Sequence, residues 1–193
     1  VMPNGDIRWL YSTHRAIFND NNILIDYQSV GRDITERKIA EDQLRYLSSH
    51  DTLTGLYNRF YFEEQMKRVE KSNVAPVGLI MCDVDGLKLV NDTLGHDEGD
   101  ELLKSVANVI SGCFRKDDIV ARVGGDEFAI LLPNSERKIL ERAIMRIREN
   151  VFNYNQVSPR VPLSISIGCA VRYDLNKPML ELFQEADNNM YRE

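Results

Sequence analysis

Ile119-Val120-Ala121-Arg122-Val123-Gly124-Gly125-Asp126-Glu127-Phe128-Ala129-Ile130-Leu131-Leu132 is the stretch from which the fold of this chain is read. Both arms are rich in β-branched or aliphatic residues. A glycine pair at the joint permits the positive φ of a tight reversal, so the segment predicts a β-hairpin. Two adjacent acids, Asp126 and Glu127, open the returning strand. Adjacent strand residues point to opposite faces, so the two carboxylates are expected to do different work. Turn chemistry alone would accept them as a solvated acidic turn. A second acidic strand end upstream gives them another meaning.

That second end closes the run Val77-Gly78-Leu79-Ile80-Met81-Cys82, whose continuous apolar character predicts a strand buried on both faces. It runs into Asp83-Val84-Asp85, and acids at the end of a buried strand are costly unless paired or bound to a cation. A polar stretch from Asn91 to Asp100 reads as a loop, and a helix through Phe114 follows it with Leu102, Leu103, Val106, Val109 and Ile110 inward. Beyond the hairpin come a helix at about 135–152, an alternating strand from Leu163 to Val171, and a last helix from Met179 to Tyr191. Strand, helix, hairpin, helix, strand is the βαββαβ order of a ferredoxin-like α+β palm with extra helices. In that topology the first strand and the hairpin are sheet neighbours, so Asp83 and Asp126 come side by side. Two such carboxylates repel when alone, and Mg²⁺, which takes one or two carboxylates plus substrate phosphates, turns repulsion into ligation. A metal-dependent nucleotidyl-transfer palm is the expectation.

Composition narrows the alternatives. Lys and Arg number 24 against 30 acids, and the net charge of −6 argues against a general binder of nucleic acid or of anionic membranes. Cys82, Cys113 and Cys169 are far apart in apolar runs and fit no zinc or disulfide spacing, so buried thiols in a reducing cytoplasm are expected. No apolar run approaches the ~20 residues of a membrane span. The abrupt start suggests a piece of a longer protein, which leaves anchoring elsewhere open.

Residues 1–34 read as strand, turn, strand: a turn at Asn4-Gly5, a strand over Ile7–Ser12, a polar turn at Asn19–Asn22 and a run from Ile23 to Val30. Strands this few cannot bury a core alone. The run Gly31-Arg32-Asp33-Ile34-Thr35-Glu36-Arg37-Lys38 resembles the exit of a PAS sensory domain, whose last strand ends in a similar Asp-Ile-Thr-Glu and passes into a helix. Residues 35–50 are then a linker helix, with Ala40, Leu44 and Leu47 spaced as a coiled-coil seam or as the apolar face of a helix lying on its own domain. Asp51-Thr52-Leu53-Thr54-Gly55-Leu56-Tyr57-Asn58-Arg59 follows, with a compact turn at Thr54-Gly55, and a helix runs from about Arg59 to Lys71.

Together, Asp51–Arg59, Asp83-Val84-Asp85-Gly86-Leu87-Lys88, Asn91–Asp100 and Gly124-Gly125-Asp126-Glu127-Phe128 resemble the GGDEF domain of the diguanylate cyclase family, whose catalytic domain would cover residues 51–193 with a nucleotidyl cyclase-like palm. The resemblance implies condensation of two GTP into cyclic di-GMP with Mg²⁺ or Mn²⁺ in a homodimer. It implies that Asp83, the Val84 carbonyl and Asp126 hold the metal. Asn91 and Asp100 would read guanine, His96 would contact substrate, and Gly86 and Leu87 would lie along the phosphates. Lys88 would stabilise transferring phosphate, and Glu127 would be the base or a second metal ligand. Arg115 and Asp118 of Arg115-Lys116-Asp117-Asp118 match the spacing of the family's inhibitory product site, although as local chemistry they read as a charged turn.

Elementary chemistry is consistent with these roles. An Asn amide plus a carboxylate satisfies the donors and acceptors of guanine, and Gly86 lets backbone N–H groups approach phosphates. The rival is a catalytically silent GGDEF module acting as a GTP or cyclic di-GMP receptor; this chain keeps the hairpin acids that degenerate members lose. A purely structural dimerisation domain would explain neither Asp83 nor Asn91. One departure stands out: Ala186-Asp187-Asn188-Asn189-Met190-Tyr191-Arg192-Glu193 ends one position before a lysine that family members place on the GTP phosphates.

Overall fold

The computed structural model describes residues 7–115, 118–157 and 159–192, so the expected turn at Asn4-Gly5, Lys116 and Asp117 of the charged turn, and Glu193 lie outside the described residues. The chain divides into two compact units, Val1–Leu47 and Ser48–Glu193.

In the first unit, β1 (Leu10–Phe18) and β2 (Leu24–Asp33) form an antiparallel ribbon with Leu10 opposite Asp33. The Asn19 side chain closes its turn by accepting from the N–H groups of Asn21 and Ile23. β1 starts later and runs further than the expected Ile7–Ser12. With no covered face, its hydrophobic pattern does not mark where pairing stops; the Asn19 turn does. Helix α1 (Thr35–Ser49) follows and has no buried residue, like the ribbon. Its junction is pinned where Thr35 Oγ1 accepts from Trp9 N (2.9 Å) and Asp33 Oδ1 accepts from Thr35 N (2.9 Å).

The second unit holds β3 (Tyr57–Asn58), α2 (Arg59–Lys71), β4 (Val77–Val84), α3 (Leu87–Leu94), α4 (His96–Ser111), β5 (Ile119–Arg122), β6 (Glu127–Pro133), α5 (Arg137–Gln156), β7 (Ile165–Arg172) and α6 (Met179–Met190). Its sheet order is β3-β5-β6-β4-β7, with β3 parallel to β5 and the other pairs antiparallel. Without β3, the order β5-β6-β4-β7 is that of the expected ferredoxin-like βαββαβ unit. β4 thus has β6 on one edge and β7 on the other.

The apolar run of β4 is explained by cover on both faces. Ile80, Cys82 and Val84 join Phe128 and Ile130 of β6 against Leu102, Val106 and Ile110 of α4 and Leu140 and Ile147 of α5. Leu79 and Met81 join Ala129 and Leu131 against Phe62 of α2 and Met179, Leu182 and Ala186 of α6. Alternation along each strand divides the side chains between the two clusters. Each fully buried large aliphatic side chain contributes about 1.5–3 kcal/mol to the association of these layers. Cys82, Cys113 and Cys169 are buried and take part in no disulfide, as expected. Among the described residues, no helix is long and apolar enough to cross a membrane.

Two expectations are corrected. Asn91–Asp100 is not a loop: α3 and α4 meet at Gly95 alone, whose φ of +94° and ψ of 163° turn the chain within one residue. The polarity of this stretch marks exposed helix surface, and Asp97 and Glu98 in the first turn of α4 suit the positive end of its dipole. Nor do Gly124 and Gly125 take positive φ; among the described glycines only Gly55, Gly86 and Gly95 do. The hairpin reverses over more residues than a two-residue turn, so it needs no left-handed backbone there.

Helix α6 lies so close to β7 that a Cβ on Gly168 would fall 2.2 Å from Met190 N and 2.3 Å from Ala186 O. These are backbone atoms and cannot swing aside. Gly168→Ala is therefore expected to cost about 1–3 kcal/mol, read as a fall of roughly 2–10 °C in the thermal midpoint. An unchanged midpoint would contradict this packing.

Candidate active site

The site is assembled by the β4–β6 ladder. Asp83 faces Glu127 in register, and just beyond, Val84 N–H donates to the Asp126 carbonyl (3.0 Å). Asp126 therefore lies in the turn immediately before β6 rather than on the strand, and Glu127 is the direct cross-strand partner of Asp83. The ladder nonetheless brings all three acids together. Burial, then the charges of Asp126, Glu127, Asp85 and Asp187, push the Asp83 carboxyl up to about 6. Asp187 comes from α6, and no sequence signal had assigned it to the site.

Asp85 is handled differently. Its carboxylate accepts from Ser164 Oγ (2.6 Å) and Ser166 Oγ (2.8 Å), and its N–H donates to the Ser164 carbonyl (3.0 Å). The acid is thereby tied toward β7. The small polar positions of the alternating Leu163–Val171 stretch were the signal for this clamp.

The hairpin turn is held from two sides. A Cβ on Gly124 would lie 2.3 Å from Glu127 Oε2, so the glycine leaves room for the Glu127 carboxylate to lie back over the turn. Arg122 donates through Nη2 (2.6 Å) and Nε (3.2 Å) to the Gly125 carbonyl, and through Nη1 to Asp51 Oδ1 (3.2 Å). Burial works to raise the Asp51 carboxyl, but hydrogen bonds from Thr54 and Arg122 prevail and hold it below the usual range. One guanidinium thus joins the Asp51–Gly55 turn to the acidic turn, a link sequence reading did not make.

The remaining expected site residues gather around α3 and α4. Gly86 has a φ of +75° and leads into α3, which has no side-chain cap at its N-terminus. Lys88 and His96 are exposed, on the first turn of α3 and at the first residue of α4. The Leu87 side chain is buried in the core, leaving only its backbone for a ligand. Across the Gly95 corner, the Asn91 carbonyl accepts from Gly95 N (3.1 Å) and its amide lies against Gly99, the residue before Asp100 on α4.

Arg115 and Asp118 lie apart from this group. Their segment closes on itself, with Arg115 N donating to Asp118 Oδ2 (2.8 Å) and Asp118 N to Arg115 O (3.0 Å). Both line a cleft of about 510 Å³ with Phe114, Pro133, Asn134 and Arg146. Arg146, whose guanidinium sits 5.9 Å from the Phe114 ring centroid, was missed because it projects from a helix distant in sequence.

Residues 48–193 match the family described as diguanylate cyclase, GGDEF domain. The chain belongs to the GGDEF family. It is 36% identical over 163 residues to diguanylate cyclase DgcM of Escherichia coli K12, covering 83% of this chain and 39% of DgcM. An uncharacterized Bacillus subtilis 168 protein, YtrP, is 40% identical over 157 residues, covering 79% of this chain and 26% of YtrP. This GGDEF chain thus spans well under half the length of the curated relatives it matches. The coiled-coil and GGDEF domain of Caulobacter crescentus DgcB, solved in complex with c-di-GMP, superposes with a TM-score of 0.71 at 26% identity, covering 82% of this chain and 86% of that one.

Among the described residues, no group of three or more His, Cys, Asp or Glu side chains is placed to hold a metal ion by itself. The crowding that raises Asp83 is of the kind a hard divalent cation relieves. Because the folded protein raises this acid, its charged form opposes folding: the penalty is absent below about pH 4 and complete above about pH 6. Asp83→Asn should therefore stabilise the protein in chelator at pH 8 by about 1 kcal/mol after solvent screening, or roughly 2–4 °C. The gain should vanish at pH 4. A variant no more stable than wild type at pH 8 would refute the charge crowding.

Proposed function

We propose that the Ser48–Glu193 unit is a diguanylate cyclase that condenses two GTP into cyclic di-GMP and two pyrophosphates. The observation that carries this reading is the crowded carboxylate Asp83 beside Asp126 and Glu127, in a family member that keeps both hairpin acids. Asp83, the Val84 carbonyl and Asp126 would hold Mg²⁺ or Mn²⁺, which when bound neutralises phosphate charge and favours ionisation of the attacking hydroxyl.

The chain's own residues do the rest. Asn91 and Asp100 read the guanine edge, and His96 contacts the substrate beside them. The open N-terminus of α3, entered through Gly86, offers the N–H groups of Leu87 and Lys88 to phosphate oxygens. The Lys88 ammonium balances charge on the phosphoryl group as the 3′-oxygen of one GTP bonds to the α-phosphorus of the other and pyrophosphate leaves. Glu127 takes the hydroxyl proton. The product joins two GMP units, one from each GTP, so two such sites must meet in a homodimer.

In this proposal residues 1–34 are the closing strands of a PAS domain. Helix α1, the linker, brings copies together through Ala40, Leu44 and Leu47, all exposed on it. Incubation with GTP and Mg²⁺ should yield cyclic di-GMP by chromatography, with specific activity rising with protein concentration, and Asp126→Ala should abolish it. Tight binding of GTP without any product would favour the silent receptor.

The cleft of Arg115, Asp118 and Arg146 supports product feedback. Arginine forks grip phosphate or a guanine edge, and a carboxylate accepts from guanine N–H groups. Product held there would keep paired sites apart, so its inhibition should be non-competitive with GTP. Arg115→Ala should relieve it by about tenfold or more while initial rates stay similar. Inhibition overcome by high GTP, or equal in both proteins, would remove this role.

A further inference from the structure

Glycine at position 99 has a purpose that its helix does not explain. It sits buried in the first turns of α4, where its N–H donates to Gly95 O (3.4 Å). Its backbone is ordinary helix, which alanine tolerates better than glycine by about 0.8–1 kcal/mol. The reason for glycine lies across the corner. Outside its own helix backbone, the three atoms nearest to a Cβ there would all belong to Asn91: Oδ1 at 1.9 Å, Cγ at 2.9 Å and Nδ2 at 3.4 Å.

We propose that Gly99 is a positioning residue for base recognition: it is the seat that holds the Asn91 amide in place beside Asp100. The proposal rests on the guanine-reading role given above to Asn91. The collision partner is the tip of a rotatable side chain, in contrast to the fixed helix backbone over Gly168. An alanine at 99 therefore displaces the amide rather than the helix, and fold and recognition part company. Asn91 is fixed at its backbone by Gly95 N, so its amide can only turn about its own side-chain bonds. Any turn that clears a methyl group moves both amide atoms by more than a hydrogen bond tolerates.

The test uses 3′-deoxy-GTP and 3′-deoxy-ATP, which lack the attacking hydroxyl, so binding is read without turnover. Equilibrium binding with Mg²⁺ and thermal midpoints are measured for wild type, Gly99→Ala, Asn91→Ala and the double variant. Gly99→Ala should match or exceed the wild-type midpoint, yet bind the guanine nucleotide about tenfold or more weakly and lose preference over the adenine nucleotide. In turnover with GTP, KM should rise more than kcat falls. With Asn91 already truncated there is no amide to displace, so Gly99→Ala should add less than about twofold. Wild-type affinity in Gly99→Ala overturns the inference, as does an equal loss in both backgrounds, which would mean general distortion of α4. If wild type does not prefer the guanine nucleotide, or Asn91→Ala binds it as wild type does, the guanine reading fails and the inference falls with it.

Discussion

Everything at the site depends on how strand β4 ends. It is bonded on both edges and covered on both faces, and the chain leaves that apolar interior directly at Asp83. The same ladder that stabilises the strand sets Glu127 opposite Asp83 and ties Val84 to Asp126. Three negative charges are thus gathered by backbone hydrogen bonds that have no means of sensing charge. The repulsion is borne by Asp83, and the hydrophobic layers on either side hold it there. That cost falls on a strand bonded along both edges and covered on both faces.

The fold was largely legible because its signals are one-dimensional. Val77–Cys82 is apolar at every position because both faces are covered, and α4 repeats its buried residues at helical spacing. The polar run Asn91–Asp100 misled because exposed helix and loop have similar composition, and a single glycine with extended left-handed geometry replaces the loop. The hairpin was right in kind and wrong in cause: Gly124 serves the Glu127 side chain rather than the backbone angle.

The candidate site was legible where its parts are consecutive and hidden where partners are far apart. Asp83, Asp126 and Glu127 could be joined through topology. Arg122 could not be joined to Asp51, nor Arg146 to Arg115, because each pairing crosses between elements whose relative rotation no spacing rule gives. Asp85 illustrates the opposite limit. It stands two residues from Asp83 in the same acidic strand end, yet its carboxylate is held by the hydroxyls of Ser164 and Ser166, 79 and 81 residues away in the chain. Leu87 likewise stands inside the motif while its side chain belongs to the core.

The position of β4 also sets a gradient of local opening along the chain. Its amides have no free edge and no thin cover, so they exchange with solvent only when the whole unit opens. Val84 N–H, bonded to the Asp126 carbonyl, sits at the last rung of that protected ladder, one residue from a crowded carboxylate. Exchange at this single amide would therefore report how firmly the acidic turn is fastened to the rest of the sheet. The α3–α4 corner turns at Gly95, outside that ladder. Under the proposed function, the acids that meet the phosphates would be fastened to the most protected strand, while the base-reading residues stand on a separate corner of the fold.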